Sequence, residues 1–248
     1  MTNSSFDNRI AVVTGAAQGL GLAIATLLGR RGAKVWLVDL DGARVNDAAG
    51  SLSDQGVSAI PYVADVTDEG SLHGLRDELI ESDGRIDVLI NNAGMYPHEG
   101  VRDITVASWD KVFDVNVKSM FLTTRTFMDP MIEAGYGRVV SIASNDAYVP
   151  KVTMAHYAAA KAGVVSLTKT FAAELAPYQV LVNGVSPGAI ATERAKGQDW
   201  LPKRIPQIPL KRAAEPEQIA EVVAFLASDQ NQFMTGETVV ANGGMLMV

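Results

Sequence analysis

The chain is predicted to fold as an α/β protein, with a doubly wound, parallel seven-stranded sheet and helices on both faces. Three observations predict it. Short apolar, β-branched runs alternate with longer segments of helical period along all 248 residues. The runs lack the polar–apolar alternation of half-exposed strands, as strands buried on both faces do. No linker, repeat or composition shift divides the chain, so residues 1–248 read as one domain.

The elements follow in order. Arg9–Thr14 is the first strand, and the helix Gly19–Arg31 begins where a glycine-rich turn ends. Lys34–Asp39 is the second strand, leading into the polar helix Gly42–Gln55. Ser58–Asp65 is a strand and Glu69–Ser82 a helix. Asp87–Ala93 is the fourth strand, and one long helix is predicted over Ser108–Ala134. Arg138–Ser144 is a strand, Ala155–Leu175 a helix and Val180–Ser186 a strand. Pro216–Ala227 is a helix with proline in its first turn, where the missing N–H costs nothing. Glu237–Ala241 closes the pattern as a seventh strand. Ala189–Ala214 breaks the rhythm with Pro202, Pro206 and Pro209 and a local excess of Lys and Arg. A segment of that length inside a compact domain reads as a functional lid or a disordered loop, and a substrate lid is the expectation here.

Composition removes several functions. Lys plus Arg number 21 and Asp plus Glu 28, a formal charge of −7, which disfavours nucleic acid as a partner. Cysteine is absent, which excludes disulfides, a catalytic thiol and thiolate metal sites. His73, His98 and His156 lack ligand spacing, so no metal site is predicted. Met1–Arg9 lacks the form of a secretory signal, and no run of about 18 apolar residues offers a membrane span. A cytoplasmic protein without membrane association is the expectation.

Two constellations carry chemistry. Thr14–Gly21 reads G-x-x-x-G-x-G between strand and helix, through Gly15, Gln18, Gly19, Leu20 and Gly21. Such a turn lets backbone N–H groups and a helix N-terminus approach a pyrophosphate. Asp39 follows 24 positions after Gly15, at the end of the second strand, where a carboxylate accepts from the adenosine ribose hydroxyls and repels a 2′-phosphate. With Gln18 and Leu40 uncharged, NAD is expected over NADP. Tyr157 and Lys161 stand i, i+4 on one helix face, where an ammonium plus an oxidised nicotinamide would favour the phenolate. Ser144 ends the fifth strand, at the sheet edge where such folds bind ligands, and can hold a substrate oxygen.

Together, Thr14–Gly21, Asp65-Val66, Asn91-Asn92-Ala93-Gly94, Asn116, Ser144, Tyr157-x-x-x-Lys161 and Pro187-Gly188 with Thr192 resemble the classical short-chain dehydrogenases/reductases over essentially the whole chain. The resemblance implies a Rossmann-type domain and an NAD-dependent oxidoreductase that interconverts a small secondary alcohol and a ketone. Tyr157 would be its acid/base. It implies that Asp65 and Val66 flank the adenine and that Asn92 touches the cofactor ribose. Asn116 would bend its helix and hold a water behind Lys161. Lys161 would also bind the nicotinamide ribose, and Ile190 and Thr192 would anchor the carboxamide. Ser144 and Asn145, with Met95, Tyr96, Met154, Ala189 and Trp200, would face the substrate, and Asp146 and His98 would suit a polyol.

A homotetramer is also implied, through the long helices and the C-terminal strand, with the apolar tail Met245–Val248 buried. Asn242-Gly243-Gly244 departs from the Asp-Gly-Gly common in the family. Tyr148 is a decoy, since Val152 stands where its lysine would be. The competing expectations are a 3-oxoacyl-[acyl-carrier-protein] reductase, which prefers NADP, and a non-catalytic NAD-sensing regulator, which needs no Ser–Tyr–Lys set. Related enoyl reductases carry a longer Tyr-to-Lys gap.

Overall fold

In a computed structural model of the chain, which describes residues 5–247, the strands form one seven-stranded parallel sheet. The strands are β1 (Ile10–Thr14), β2 (Lys34–Asp39), β3 (Ala59–Val63), β4 (Val88–Asn91), β5 (Gly137–Ile142), β6 (Val180–Pro187) and β7 (Thr238–Ala241). Their order is β3-β2-β1-β4-β5-β6-β7. The chain winds outward from β1 in one direction and then outward from β4 in the other. The switch between β1 and β4 opens a crevice at the carboxyl ends of the strands.

The helices are α1 (Gly19–Arg30), α2 (Gly42–Ser53), α3 (Glu69–Asp83), α4 (Val106–Phe113), α5 (Ser119–Ala134), α6 (Ala155–Leu175), α7 (Glu193–Lys196), α8 (Trp200–Arg204) and α9 (Pro216–Ala227). Strand alternation splits the core between the two sheet faces. Val13, Val35 and Leu37 pack beneath α1, α2 and α9, and Val12, Trp36 and Val38 pack beneath α3, α5 and α6. All six of these side chains are buried, so every central strand contributes to two cores.

Local chemistry fixes the boundaries. Asp41, Asp68 and Thr105 cap α2, α3 and α4 by accepting from Arg44, Ser71 and Ser108 N–H groups. Gly84 and Gly135 end α3 and α5 in left-handed conformation. Pro61 sits within β3, which is tolerable because β3 is an edge strand.

The single helix expected over Ser108–Ala134 is interrupted. Asp114–Lys118 forms a π-helical turn between α4 and α5. At its centre Asn116 donates to the Val112 carbonyl (2.9 Å) and turns its remaining polar atoms inward. The proline-rich segment after β6 also differs from an irregular loop. It folds into α7 and α8 over a small cluster of Ala191, Ala195, Leu201 and Ala213, and an Ile190–Ala214 bridge ties its two ends together. Met1–Ser4 and Val248, including the end of the apolar tail, lie outside the described residues.

Candidate active site

One cleft of about 1180 Å³ runs along the carboxyl edge of the sheet. It joins the glycine turn, the Ser–Tyr–Lys group and the segment after β6. Gly15 and Gly19 have φ of +63° and +59°, values that side-chain-bearing residues rarely adopt. Gly21 is demanded by contact instead, because a Cβ there would overlap the Gly15 carbonyl and the Asn92 amide. Gln18 precedes α1 without a capping side-chain hydrogen bond, so the first N–H groups of that helix face the cleft unclaimed by a side chain.

Asp39 lines the same cleft at the end of β2. Its Oδ2 accepts from Ala17 N (3.0 Å) and its Oδ1 from Asp41 N (3.1 Å). Two backbone bonds thus aim the carboxylate and leave lone pairs on both oxygens. Asp65 is held by Thr67, through both N–H and hydroxyl, beside Val66.

Asn92 ties the end of β4 to the glycine turn. Its amide nitrogen donates to the Thr14 and Gly15 carbonyls (2.9 and 3.1 Å), so it staples β4 to the glycine turn. Only its oxygen atoms remain to meet a ribose. Arg44 was not anticipated. Its guanidinium donates to Gln18 (3.1 Å) and pairs with Asp41 (3.3 Å), which places a cation, already matched by a carboxylate, near the adenosine end. A residue on the next helix, reached only through folding, left no local signal in the sequence.

The expected catalytic residues converge. Lys161 is 4% exposed, and its Nζ donates to the Ile142 carbonyl (2.8 Å) and lies 5.7 Å from the Tyr157 ring centroid. Asn116 receives Met95 N–H (3.2 Å) and donates to the Met95 carbonyl (2.8 Å). The π turn therefore clamps the strand-end segment that faces Lys161. Ser144 starts a short 3₁₀ turn, where its hydroxyl accepts from Asp146 N (3.1 Å).

Electrostatics divide the expected effect between Lys161 and the nicotinamide. Burial pushes the Lys161 amine down to about 8. Burial also holds the Tyr157 phenol well above its ordinary value; the Ser144 hydroxyl pulls it down, whereas the Asp146 carboxylate and Tyr96 push it up. Lys161 alone therefore does not produce a phenolate. Desolvation of the phenol outweighs an amine whose own charge is disfavoured by the same burial. Without a bound nicotinamide, desolvation favours the neutral phenol.

The substrate side is built from side chains. Met95, Tyr96, His98, Asn145, Met154 and Trp200 all line the cleft, as does Ala189. Tyr96 meets Tyr157 edge-on at 6.3 Å, and Arg194 of α7 lies 4.9 Å from the Tyr96 centroid. Asp146 pairs with Lys151 at 3.8 Å. Ile190 and Thr192 border the cleft, and Thr192 caps α7 while its methyl reaches toward Gly19. Tyr148 stays outside this cluster, 36% exposed. Among the described residues no group of His, Asp and Glu is arranged to hold a metal.

These residues fit a dinucleotide. The glycine turn borders the cleft with left-handed backbone at Gly15 and Gly19 and leads into the uncapped start of α1, and Asp39 retains acceptor capacity at the ribose end. A family model described as enoyl-(acyl carrier protein) reductase matches residues 15–246. Cyclopentanol dehydrogenase of Comamonas sp. (strain NCIMB 9872) is 36% identical over 243 residues, 96% of this chain and 97% of that protein. The 3-oxoacyl-[acyl-carrier-protein] reductase FabG of Escherichia coli (strain K12) is 36% identical over 247 residues, 98% of this chain and 100% of that one. The crystal structure of a 3-oxoacyl-[acyl-carrier protein] reductase with bound NAD from Brucella melitensis matches with a TM-score of 0.92 at 33% identity, covering 100% of this chain and 94% of that chain. Sequence, sheet order and site geometry agree, and the chain belongs to the classical short-chain dehydrogenase/reductase family of nicotinamide-dependent oxidoreductases.

Proposed function

We propose that the protein is an NAD-dependent dehydrogenase that interconverts a secondary alcohol and a ketone, of the polyol, sugar or cyclic or aryl alcohol type. The observation that carries this reading is the meeting of Ser144, Tyr157 and Lys161 in the cleft that also holds the glycine turn and Asp39. A bound nicotinamide would supply or accept the hydride. The rest falls to the chain. Tyr157, whose phenol desolvation holds above its ordinary value, gives its proton to the carbonyl oxygen in reduction and takes it back in oxidation. Ser144 holds that oxygen by a second hydrogen bond. Lys161, fixed by Ile142, orients toward the phenol and the nicotinamide ribose, with Asn116 behind it. Ile190 and Thr192 orient the carboxamide, and Asp39 takes the adenosine ribose hydroxyls.

The assignment of NAD rests on the Asp39 carboxylate and on the pairing of Arg44 with Asp41, which leaves that cation little charge to offer a 2′-phosphate. Residues 189–214 act as a substrate lid within a single catalytic domain. We place the protein in the cytoplasm as a homotetramer. No helix among the described residues is long and apolar enough to cross a membrane, and Val106, Phe121 and Met247 leave apolar surface on the long helices and the tail. Light scattering would return four times the chain mass, and a monomer would refute the assembly.

A second reading is a 3-oxoacyl-[acyl-carrier-protein] reductase, favoured by the FabG relatives. The Brucella melitensis neighbour of that description holds NAD, so the dinucleotide does not separate the two readings. Substrate does. Secondary alcohols with NAD, assayed by reduced-nicotinamide absorbance beside a 3-oxoacyl thioester with reduced cofactor, decide between them. Faster turnover of the thioester would replace the first reading with the second. Cofactor binding with no turnover of any alcohol, ketone or thioester would leave the NAD-sensing regulator.

A further inference from the structure

We infer that Asn242, through its hydrogen bond to Asn145, sets the polarity the substrate meets beside Ser144 and so acts as a specificity-determining positioning residue. The inference rests on the alcohol–ketone reading of the site. Asn242 has a single workable amide orientation. Its Oδ1 accepts from Gly244 N (2.9 Å) and Met245 N (3.1 Å), and its Nδ2 donates to the Leu246 carbonyl (2.9 Å). Three backbone partners thus exclude the flipped amide, which would set donor against donor and acceptor against acceptor.

The remaining N–H of Asn242 reaches Asn145 at 3.2 Å, so Asn145 must answer with its oxygen. Asn145 is 95% buried by residue (5% exposed) and lines the cleft directly after Ser144. Among the described residues its amide nitrogen makes no hydrogen bond to the protein. The chain therefore presents an N–H donor to the substrate, and the orientation of that donor is dictated from the C-terminal turn.

An aspartate at 242 would keep both acceptor bonds to Gly244 and Met245. It would lose the donor that faces Asn145 and, with it, the bond to the Leu246 carbonyl, a loss that both ketones share. Asn145 would then turn over to donate to the carboxylate, and its carbonyl would face the cleft. The departure from Asp-Gly-Gly at Asn242-Gly243-Gly244 thereby acquires a chemical consequence: the site favours a substrate carrying a hydrogen-bond acceptor close to the reacting carbon. A hydroxyl can satisfy either orientation of Asn145, because it donates and accepts. An ether oxygen can satisfy only the donor orientation.

Matched pairs of ketones test this, one member bearing a hydroxyl and the other a methoxy group near the carbonyl, for example hydroxyacetone and methoxyacetone. The readout is the methoxy-to-hydroxy ratio of kcat/KM in the wild type, Asn242→Asp and Asn145→Asp. Both variants are isosteric, so the size of the methyl cancels in the comparison. Asn145→Asp places an acceptor at the cleft without touching the tail, and it serves if Asn242→Asp fails to fold.

Each variant should lower the ratio about tenfold, mostly through KM, on the order of one unsatisfied buried hydrogen bond. A merely structural role would depress both ketones together and leave the ratio unchanged, and that result would overturn the inference. A wild type that reduces no ketone of either kind would instead sink the alcohol–ketone reading beneath it.

Discussion

The cleft has two halves made by different means. The half between β1 and β2 is built largely from backbone: glycines at Gly15, Gly19 and Gly21, uncapped N–H groups at the start of α1, and one carboxylate aimed by two main-chain bonds. The half beyond Tyr157 is built from side chains drawn from three places, Tyr96 before α4, Asn145 and Lys151 before α6, and Arg194 on α7, with Asn242 after β7 bonded to Asn145 from behind. Backbone geometry restricts residue type severely, because only glycine tolerates the contact at Gly21. Side-chain chemistry restricts it weakly, since many residues could line a pocket of that size. The first half is suited to one ligand. The second can change its ligand by substitution without disturbing the sheet.

The largest effect should come where the halves meet. Tyr157→Phe removes the proton donor while keeping the ring that packs on Tyr96. Turnover should fall by about 10³-fold or more, with the dissociation constant for NAD, measured by fluorescence titration, changed little. Retained turnover would place the acid/base elsewhere and dissolve the junction.

Next is Gly21→Ala, a methyl added to the backbone-built half. Its Cβ overlaps the Gly15 carbonyl, which is backbone, and the Asn92 amide, a side-chain end pinned by two hydrogen bonds. Stability should drop by about 1–3 kcal/mol, and NAD affinity should drop with it, because the turn must open. The contrasting case in the side-chain half is Arg194→Ala. It removes a cation stacked on Tyr96, and should alter KM for substrate while NAD affinity and melting temperature stay near wild type. Equal effects of the two substitutions on cofactor binding would erase the distinction between the halves.

What could be read from the sequence follows the same division. The strands and the glycine turn were legible because periodicity and steric exclusion write themselves into residue type. Tyr157, Lys161, Ser144 and Asn116 were found through spacing and family resemblance, and the fold brings them to one place. The break in the long helix was not visible as a boundary, because Asn116 opens the π turn through a hydrogen bond to Val112 that no propensity encodes. The Arg44–Gln18 contact, the Arg194–Tyr96 stack and the Asn242–Asn145 bond each join segments far apart in the chain. Their residue types are ordinary, so only the tertiary arrangement reveals them. The phenolate expected of Tyr157 was tied to an oxidised nicotinamide as well as to Lys161: spacing gives the amine, whereas burial, which pushes the phenol up in the cofactor-free chain, belongs to the whole fold.

A more modest effect tests cofactor choice within the first half. Asp39→Asn keeps the shape of the side chain and an acceptor for a backbone N–H, but removes the charge. The ratio of NADP to NAD efficiency should rise about tenfold, the order of a partly screened repulsion between a carboxylate and a phosphate near the surface. An unchanged ratio would mean that Arg44 and the shape of the turn, rather than the Asp39 charge, decide which dinucleotide enters.

The smallest effect concerns Lys161, which stands between the halves, and it is read in stability without cofactor or substrate. Burial lowers the amine from 10.5 to about 8 in the folded chain. Between those values the unfolded chain binds more protons than the folded one, so stability rises with pH across that window. Below about 8 both states are protonated and the burial penalty is felt in full. Lys161→Met removes the ionisation while keeping much of the apolar bulk. The melting temperature of the wild type minus that of Lys161→Met should therefore climb as pH goes from about 8 toward 10.5, and be flat below. Tyr157 titrates in both proteins and largely cancels in the difference. A difference that stays level across the window would mean that the amine keeps its charge at an ordinary pKa, with solvent or a carboxylate reaching it. Lys161 could then favour the Tyr157 phenolate without help from a bound nicotinamide.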